Sequence, residues 1–285
     1  MKLIKPCVEI LDQLPGISGI YKQIEFAGRT CYKSHDKITS DSAKEFVDRM
    51  IKSGHGAMLE HGTVYLALDM ASRELYFKYC TNKYSKANSI GRAVDYSWKG
   101  FVTTNLRVLV ENDWMSDLAY LCEPTEHHEK RITVKFVCDR GVSHEFVRHR
   151  VFSFAQESTR YCNYSKDKFD NEITFIIPNW LSYEPQQFTN KDDSSIRTDL
   201  SEHEYFIDCL LESERTYNYL VTYCNWKPQQ ARAVLPNALK TELVMTGFVS
   251  DWKHFFELRD AGSAHPQARE LAQPLHEEFI KRNWV

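Results

Sequence analysis

Two stretches of this chain alternate apolar and polar residues with the period of a β-strand, and they stand far apart. From Gly62 to Met70, Val64, Leu66, Leu68 and Met70 share one face, while Thr63, Tyr65, Ala67 and Asp69 share the other. Ile132, Val134, Phe136 and Cys138 repeat the pattern. A period of two marks a strand with one buried face. Roughly 60 residues of mixed, Tyr-rich and polar sequence lie between the two runs, far more than a tight connection needs. We read them as an elaboration at about 71–130, inserted between two core strands of one domain that spans the 285 residues.

Helical patterns fill much of the remainder. Ser42-Ala43-Lys44-Glu45 reads as a capping box ahead of Phe46, Val47, Met50 and Ile51, with Gly54 as a stop. Asp139 to Val142 reads as a turn, with Ser143 as the N-cap of a helix through Phe146, Val147 and Arg150. Glu172 to Ile177 predicts a short strand ended by Pro178, and Thr189 to Arg197 a polar loop. Phe206, Cys209, Leu210, Tyr217 and Leu220 suit one long helix from about Leu200 to Tyr223. Pro228 starts another, which Pro236 breaks. Helical patterns continue through Leu243 to Leu258 and Gln267 to Ile280. Strands early and helices late predict an α+β fold, a mixed sheet packed with helices.

Composition excludes several function classes. Lys and Arg number 36 against 39 Asp and Glu, a formal charge of −3. A net-acidic chain is not a general nucleic-acid coat, so any basic cluster needs a local anion to explain it. No apolar run approaches the ~20 residues that span a bilayer, and the N-terminus carries no signal-peptide core. The 8 cysteines are scattered with no C-x-x-C pair. They read as reduced thiols of a cytoplasmic protein. Neither G-x-G-x-x-G nor G-x-x-x-x-G-K-[ST] occurs, so the usual phosphate cradles are absent.

The segment richest in chemistry runs from Arg148 to Tyr161. Arg148, His149 and Arg150 stand between an apolar helix and the turn Gln156-Glu157-Ser158-Thr159-Arg160. Guanidinium groups stay charged at any working pH and offer five donors in a planar fork. With the Ser158 and Thr159 hydroxyls they can hold a phosphate. The plain alternative is a solvated basic face paired to Glu145 and Glu157.

The order of residues resembles a known family. R-H-R, seven residues and then Ser is the signature of the flavin-dependent thymidylate synthases, the ThyX family. Residues 53–61, Ser-Gly-His-Gly-Ala-Met-Leu-Glu-His, resemble its G-H-x-x-x-x-E-H segment before a strand. Ala231-Arg232-Ala233-Val234-Leu235-Pro236 resembles its A-R-x-x-L-P, and His254-Phe255-Phe256-Glu257-Leu258-Arg259 its late F-x-x-L-R. All occur in the family's order, across roughly residues 1–70 and 131–285.

The resemblance implies a methyltransferase that makes dTMP from dUMP. It implies 5,10-methylenetetrahydrofolate as carbon donor, FAD reduced by NADPH as hydride source, and a homotetramer with shared sites. It further implies dUMP contacts at Glu145, Arg148, Gln156, Glu157, Ser158, Thr159, Arg160 and Arg232. FAD contacts fall at His55, Ala57, Arg148, His149, Arg150, Gln156, Ser250 and His254, with Asp251 placed to orient His254. Arg259 would be the catalytic residue. A fixed guanidinium at the N3/O4 edge stabilises negative charge that develops as C5 of the pyrimidine attacks an electrophile. No metal ion is expected, nor any nucleic-acid or membrane partner. The chain departs from the family where Gln156 stands for a common Glu, Ala57 for Thr or Ser, and Phe248-Val249-Ser250 for N-x-R.

Competing readings are weaker. His144-Glu145-Phe146-Val147-Arg148-His149 is H-E-x-x-x-H, which puts its histidines five apart instead of the four of a zinc helix. A nucleotide- or single-strand-binding module would use Arg148, Arg150, Arg160, Tyr161 and Tyr164, but no sustained basic stripe supports it. Ser158 has no His–Asp relay beside it and is read as a substrate contact. Cys7 follows Pro6 as the nucleophile does in unrelated thymidylate synthases, a match of two residues, and is read as a structural thiol. Cys209 and Cys224 are read onto the apolar side of the long helix.

Overall fold

The computed structural model describes residues 1–166, 172–182, 184–188 and 201–285. The predicted loop at 189–197 lies outside them. In chain order the elements begin with β1 (Lys2–Ile4), β2 (Cys7–Leu11), α1 (Gly16–Tyr32), α2 (Ser42–Lys52), α3 (Gly56–Leu59) and β3 (Thr63–Leu68). They continue with α4 (Arg73–Cys80), β4 (Lys86–Ile90), β5 (Lys99–Asn105), α5 (Leu106–Glu111), β6 (Arg131–Asp139), α6 (Arg140–Phe146) and β7 (Ser153–Gln156). Then follow β8 (Thr174–Ile176), β9 (Gln186–Gln187), α7 (Glu202–Thr222), α8 (Pro228–Ala231), β10 (Lys240–Phe248), α9 (Val249–Arg259) and α10 (Pro266–Lys281).

The α+β class holds, but among the described residues the strands form three sheets rather than one. The central sheet is antiparallel, in the order β2-β6-β10-β7. A second antiparallel sheet runs β3-β5-β4, and a third, mixed sheet runs β8-β1-β9. The two alternating runs are therefore strands of different sheets. β3 does not face solvent with its polar side either: of its residues, Ala67 alone is exposed. The stretch at 71–130 supplies β4 and β5 to the sheet of β3, and its Tyr79, Trp98, Val102 and Leu106 share one apolar cluster with Ile24, Phe46 and Val64.

The most consequential correction is at residues 240–248. The sequence reads as helix from Leu243, yet Lys240–Phe248 is a strand, and α9 begins only at Val249. All nine residues of β10 are buried, because β6 and β7 flank it on either side. A central strand covered on both faces loses the period-two alternation that would have identified it. Its Gly247 is required by packing: a Cβ there would lie 2.5 Å from the ring of Phe152.

Helix starts also moved. Asp41, not Ser42, precedes α2, and the Ser42 hydroxyl accepts from the Thr39 N–H and donates to Glu25. Asp139, not Ser143, caps α6 by accepting the Val142 N–H at 2.7 Å, and α6 stops at Phe146, short of Arg150. The long helix holds as α7, closed by a capping box of Ser201 and Glu204. Its buried face is Ile207, Leu210, Glu214 and Tyr217, while Cys209 and Cys224 are exposed rather than apolar-side.

The central sheet is covered by α6, α9 and α10 through Phe136, Phe146, Trp252, Phe255 and Phe279. Trp252 is fully buried, and its indole N–H donates to the Ile132 carbonyl at 3.2 Å, so its polar edge is satisfied. That core fixes α9 against the sheet, and with it the end that carries Arg259. No helix among the described residues is long and apolar enough to cross a membrane.

Candidate active site

The Asp139 cap sets the direction of α6, and its other carboxylate oxygen accepts from Gln267 on α10 at 2.7 Å. Beyond Phe146 the chain turns tightly: His149 N–H donates to Phe146 O and Phe152 N–H to His149 O, both at 3.1 Å. This turn splits the three basic residues. Arg148 and Arg150 are exposed, with no hydrogen-bond or ion-pair partner among the described residues. His149 points inward, buried against Phe152 and Phe255.

Arg259 ends α9 beside it. Its Nε–H donates to His149 Nε2 at 3.0 Å, one terminal nitrogen to the Glu145 carboxylate, and the other to the Glu145 carbonyl at 2.8 Å. Because His149 Nε2 accepts, its proton sits on Nδ1 and the ring is neutral. Burial, then the charges of Arg259 and His254, push its pKa down to about 4. A guanidinium carries five N–H groups, and three are engaged, so two remain on a side chain that is still 16% exposed.

The turn after β7 forms the second part of the site. Gln156 donates to Ser143 Oγ of α6 at 2.9 Å and to Thr241 Oγ1 of β10 at 3.3 Å, tying this turn to the Arg259 side. Ser158 N–H donates to Cys31 O at the end of α1. Arg232 donates to Thr159 Oγ1 at 3.0 Å, although 73 residues separate them, and its guanidinium is otherwise open to solvent. Arg160 is exposed over the ring of Tyr161, which packs on Tyr32 at 5.1 Å.

Glu157 turns inward and is buried. Lys240 Nζ donates to it at 2.9 Å and Tyr164 OH at 3.2 Å. Lys240 also binds Glu242, which accepts in addition from Lys33 and Lys135. Burial works against both charges, but the two carboxylates hold the Lys240 pKa well above its usual value, and Lys240 and Lys33 hold Glu242 well below its own. Sequence reasoning missed Lys33, Lys240 and Glu242. The members lie on α1's end, β6, β10 and the turn, and only the fold brings them together.

The remaining expected residues sit apart. His55 and Ala57 line an open cleft with Cys31, Tyr32 and Phe46. His61, the second histidine of the same motif, goes the other way: it is fully buried, with Nδ1 against Thr246 Oγ1 at 2.8 Å. His254 is exposed, 6.2 Å from the ring of His149, and its Nδ1 pairs with Glu257. Asp251, expected to orient it, instead caps α9 by accepting the Phe248 N–H. Ser250 is near Lys86 and Glu129 at the opposite end of α9, about 13 Å along the axis from Arg259.

A family model described as "Thymidylate synthase complementing protein" matches residues 15–89 and 112–283. Within the matched span, residues 90–111 lie outside the family model. A flavin-dependent thymidylate synthase of Pyrococcus furiosus is 32% identical over 146 residues, 51% of this chain and 52% of its own length. Namesakes from Corynebacterium aurimucosum and Corynebacterium glutamicum are 25% and 23% identical over 87% and 90% of this chain, and 71% and 74% of theirs. The chain thus spans about half the length of the Pyrococcus relative it matches. The solved UMP/dUMP methylase PolB of Streptomyces cacaoi, bound with 5-Br dUMP, covers 99% of this chain at 16% identity and a TM-score of 0.42, too loose a likeness to argue from.

Proposed function

The chain belongs to the thymidylate synthase complementing protein family, and on that premise we propose that it is a flavin-dependent thymidylate synthase that methylates dUMP at C5. The observation that carries this reading is Arg259. Glu145 and His149 fix its plane from two sides and leave two N–H groups unspent. Held at the N3/O4 edge of a uracil ring, such a group stabilises charge that develops as C5 becomes nucleophilic, without giving up its proton. The neutral His149 assists by accepting from Arg259 rather than repelling it.

The nucleotide's phosphate falls to Ser158, Thr159, Arg160 and Arg232. The two guanidinium groups there are exposed, and Thr159 already orients one of them. The residues expected around FAD fit a dinucleotide diphosphate, since Arg148 and Arg150 are exposed cations with no ion-pair partner among the described residues. FAD, reduced by NADPH, supplies the hydride when bound, and 5,10-methylenetetrahydrofolate supplies the carbon. His55 and Ala57 line a cleft to which the exposed Arg148 and Arg150 do not contribute. That separation supports a site shared between copies of the chain in a homotetramer.

The test is product formation. Protein given dUMP, 5,10-methylenetetrahydrofolate, NADPH and FAD should make dTMP, and omission of FAD should stop it. Turnover that persists without flavin would rule out this reading.

A further inference from the structure

Three ammonium groups share two carboxylates in the buried network behind the nucleotide turn. Lys33, Lys135 and Lys240 all bind Glu242, and Lys240 alone also binds Glu157. Glu9, the neighbour of Lys135 across the strands, is exposed and forms no ion pair with it among the described residues. His35, Cys7 and Tyr164 also face the network: burial is the chief reason that the His35 pKa is lowered and that those of the Cys7 thiol and the Tyr164 phenol are raised, so all three are held neutral. Counted by formal charge, three ammonium groups against two carboxylates, the network carries one positive charge more than it can pair, and burial pulls the Lys33 pKa below its usual value.

That surplus is best assigned to Lys33. Lys240 is committed to two carboxylates, and Lys135 stands over the ring of Phe26. Lys33 is the most exposed of the three, with 28% of its side chain accessible against 19% and 9%. It directly follows Cys31 and Tyr32, whose carbonyl and ring hold Ser158 and Tyr161 of the nucleotide turn.

Resting on the dUMP reading above, we propose that Lys33 is a specificity-determining residue, whose ammonium neutralises the phosphate of a pyrimidine nucleotide seated on residues 158–160. It selects for the phosphorylated substrate over the nucleoside and takes no part at C5.

Equilibrium binding of dUMP and of deoxyuridine to the full-length protein, wild type and variants, tests this. Lys33→Gln should fold, because Glu242 keeps Lys135 and Lys240, and circular dichroism checks it. It should weaken dUMP binding roughly tenfold, as expected for one lost charge-assisted contact, and leave deoxyuridine unchanged. Lys33→Arg should restore dUMP binding. Lys135→Gln removes the same charge from the far side of Glu242 and should leave the dUMP-to-deoxyuridine ratio unchanged. The proposal is overturned if Lys33→Gln binds dUMP as wild type does, loses nucleoside equally, or is matched by Lys135→Gln. Wild-type protein that binds dUMP but makes no dTMP contradicts the synthase reading alone; wild type that binds no dUMP contradicts both.

Discussion

At the scale of single residues, the site depends on which way each side chain of a short motif is turned. Arg148, His149 and Arg150 read alike in sequence, as three basic groups. The turn after α6 sends the histidine inward to Arg259 and leaves both arginines in solvent. No local pattern announces that split, because it depends on a helix more than 100 residues downstream. Arg259 and Glu145 were both expected at the site from the family motifs, but the hydrogen bonds between them were not. Arg259→Ala should cut kcat for dTMP formation by at least ~10²-fold while FAD binding and the circular dichroism spectrum persist. Unfolding of that variant would make Arg259 a structural strut. Thr159→Val should free the Arg232 fork and raise KM for dUMP several-fold at nearly constant kcat, a loss of about 1 kcal/mol. A matching fall in kcat would place Thr159 in the chemical step instead.

At the scale of elements, periodicity was a good guide wherever one face met water and a poor one elsewhere. α7 and α10 emerged close to their expected bounds because each keeps a polar side. β10 was misread because burial on both faces removed its alternation. The cap of α6 was misassigned because Ser143 and Asp139 are both good capping residues, and only the structure shows which oxygen meets the Val142 N–H. Asp139→Ala should therefore cost about 1–2 kcal/mol in urea unfolding, whereas Asp139→Asn should retain most of the stability. Equal losses would mean that the Gln267 contact and the charge outweigh the cap. Gly247→Ala drives a methyl into Phe152, which closes the turn carrying Arg148 to Arg150. Overpacking of this kind costs about 1–3 kcal/mol. A Gly247→Ala protein with an unchanged melting temperature would show that Phe152 can move aside freely.

At the scale of the whole molecule, buried histidines couple folding to pH, His61 and His149 most strongly among the described residues. Burial, then Arg131, pushes His61 down to about 3, and His149 falls to about 4. Both rings are neutral in the native state, yet regain a pKa near 6.5 once unfolded. Their contribution is complete above about pH 6.5 and drains as pH falls toward 4, by about 1.4 kcal/mol per pH unit for each ring. Urea midpoints should drop steadily from pH 6.5 to pH 4.5, and a flat profile would mean that neither ring is shielded as the structure shows. The overall architecture was only partly visible in sequence. The α+β class and the site motifs could be read, but the division into three sheets and the Lys33–Glu242–Lys240–Glu157 network could not, since both rest on pairings between distant segments. The central claim, that these motifs together make a flavin enzyme acting on dUMP, is tested most directly by the absorbance of bound flavin. Protein loaded with FAD and reduced by NADPH under anaerobic conditions should reoxidise when dUMP and 5,10-methylenetetrahydrofolate are added together, with dTMP as the product. Flavin that stays reduced in their presence, or protein that holds no flavin at micromolar FAD, would contradict it.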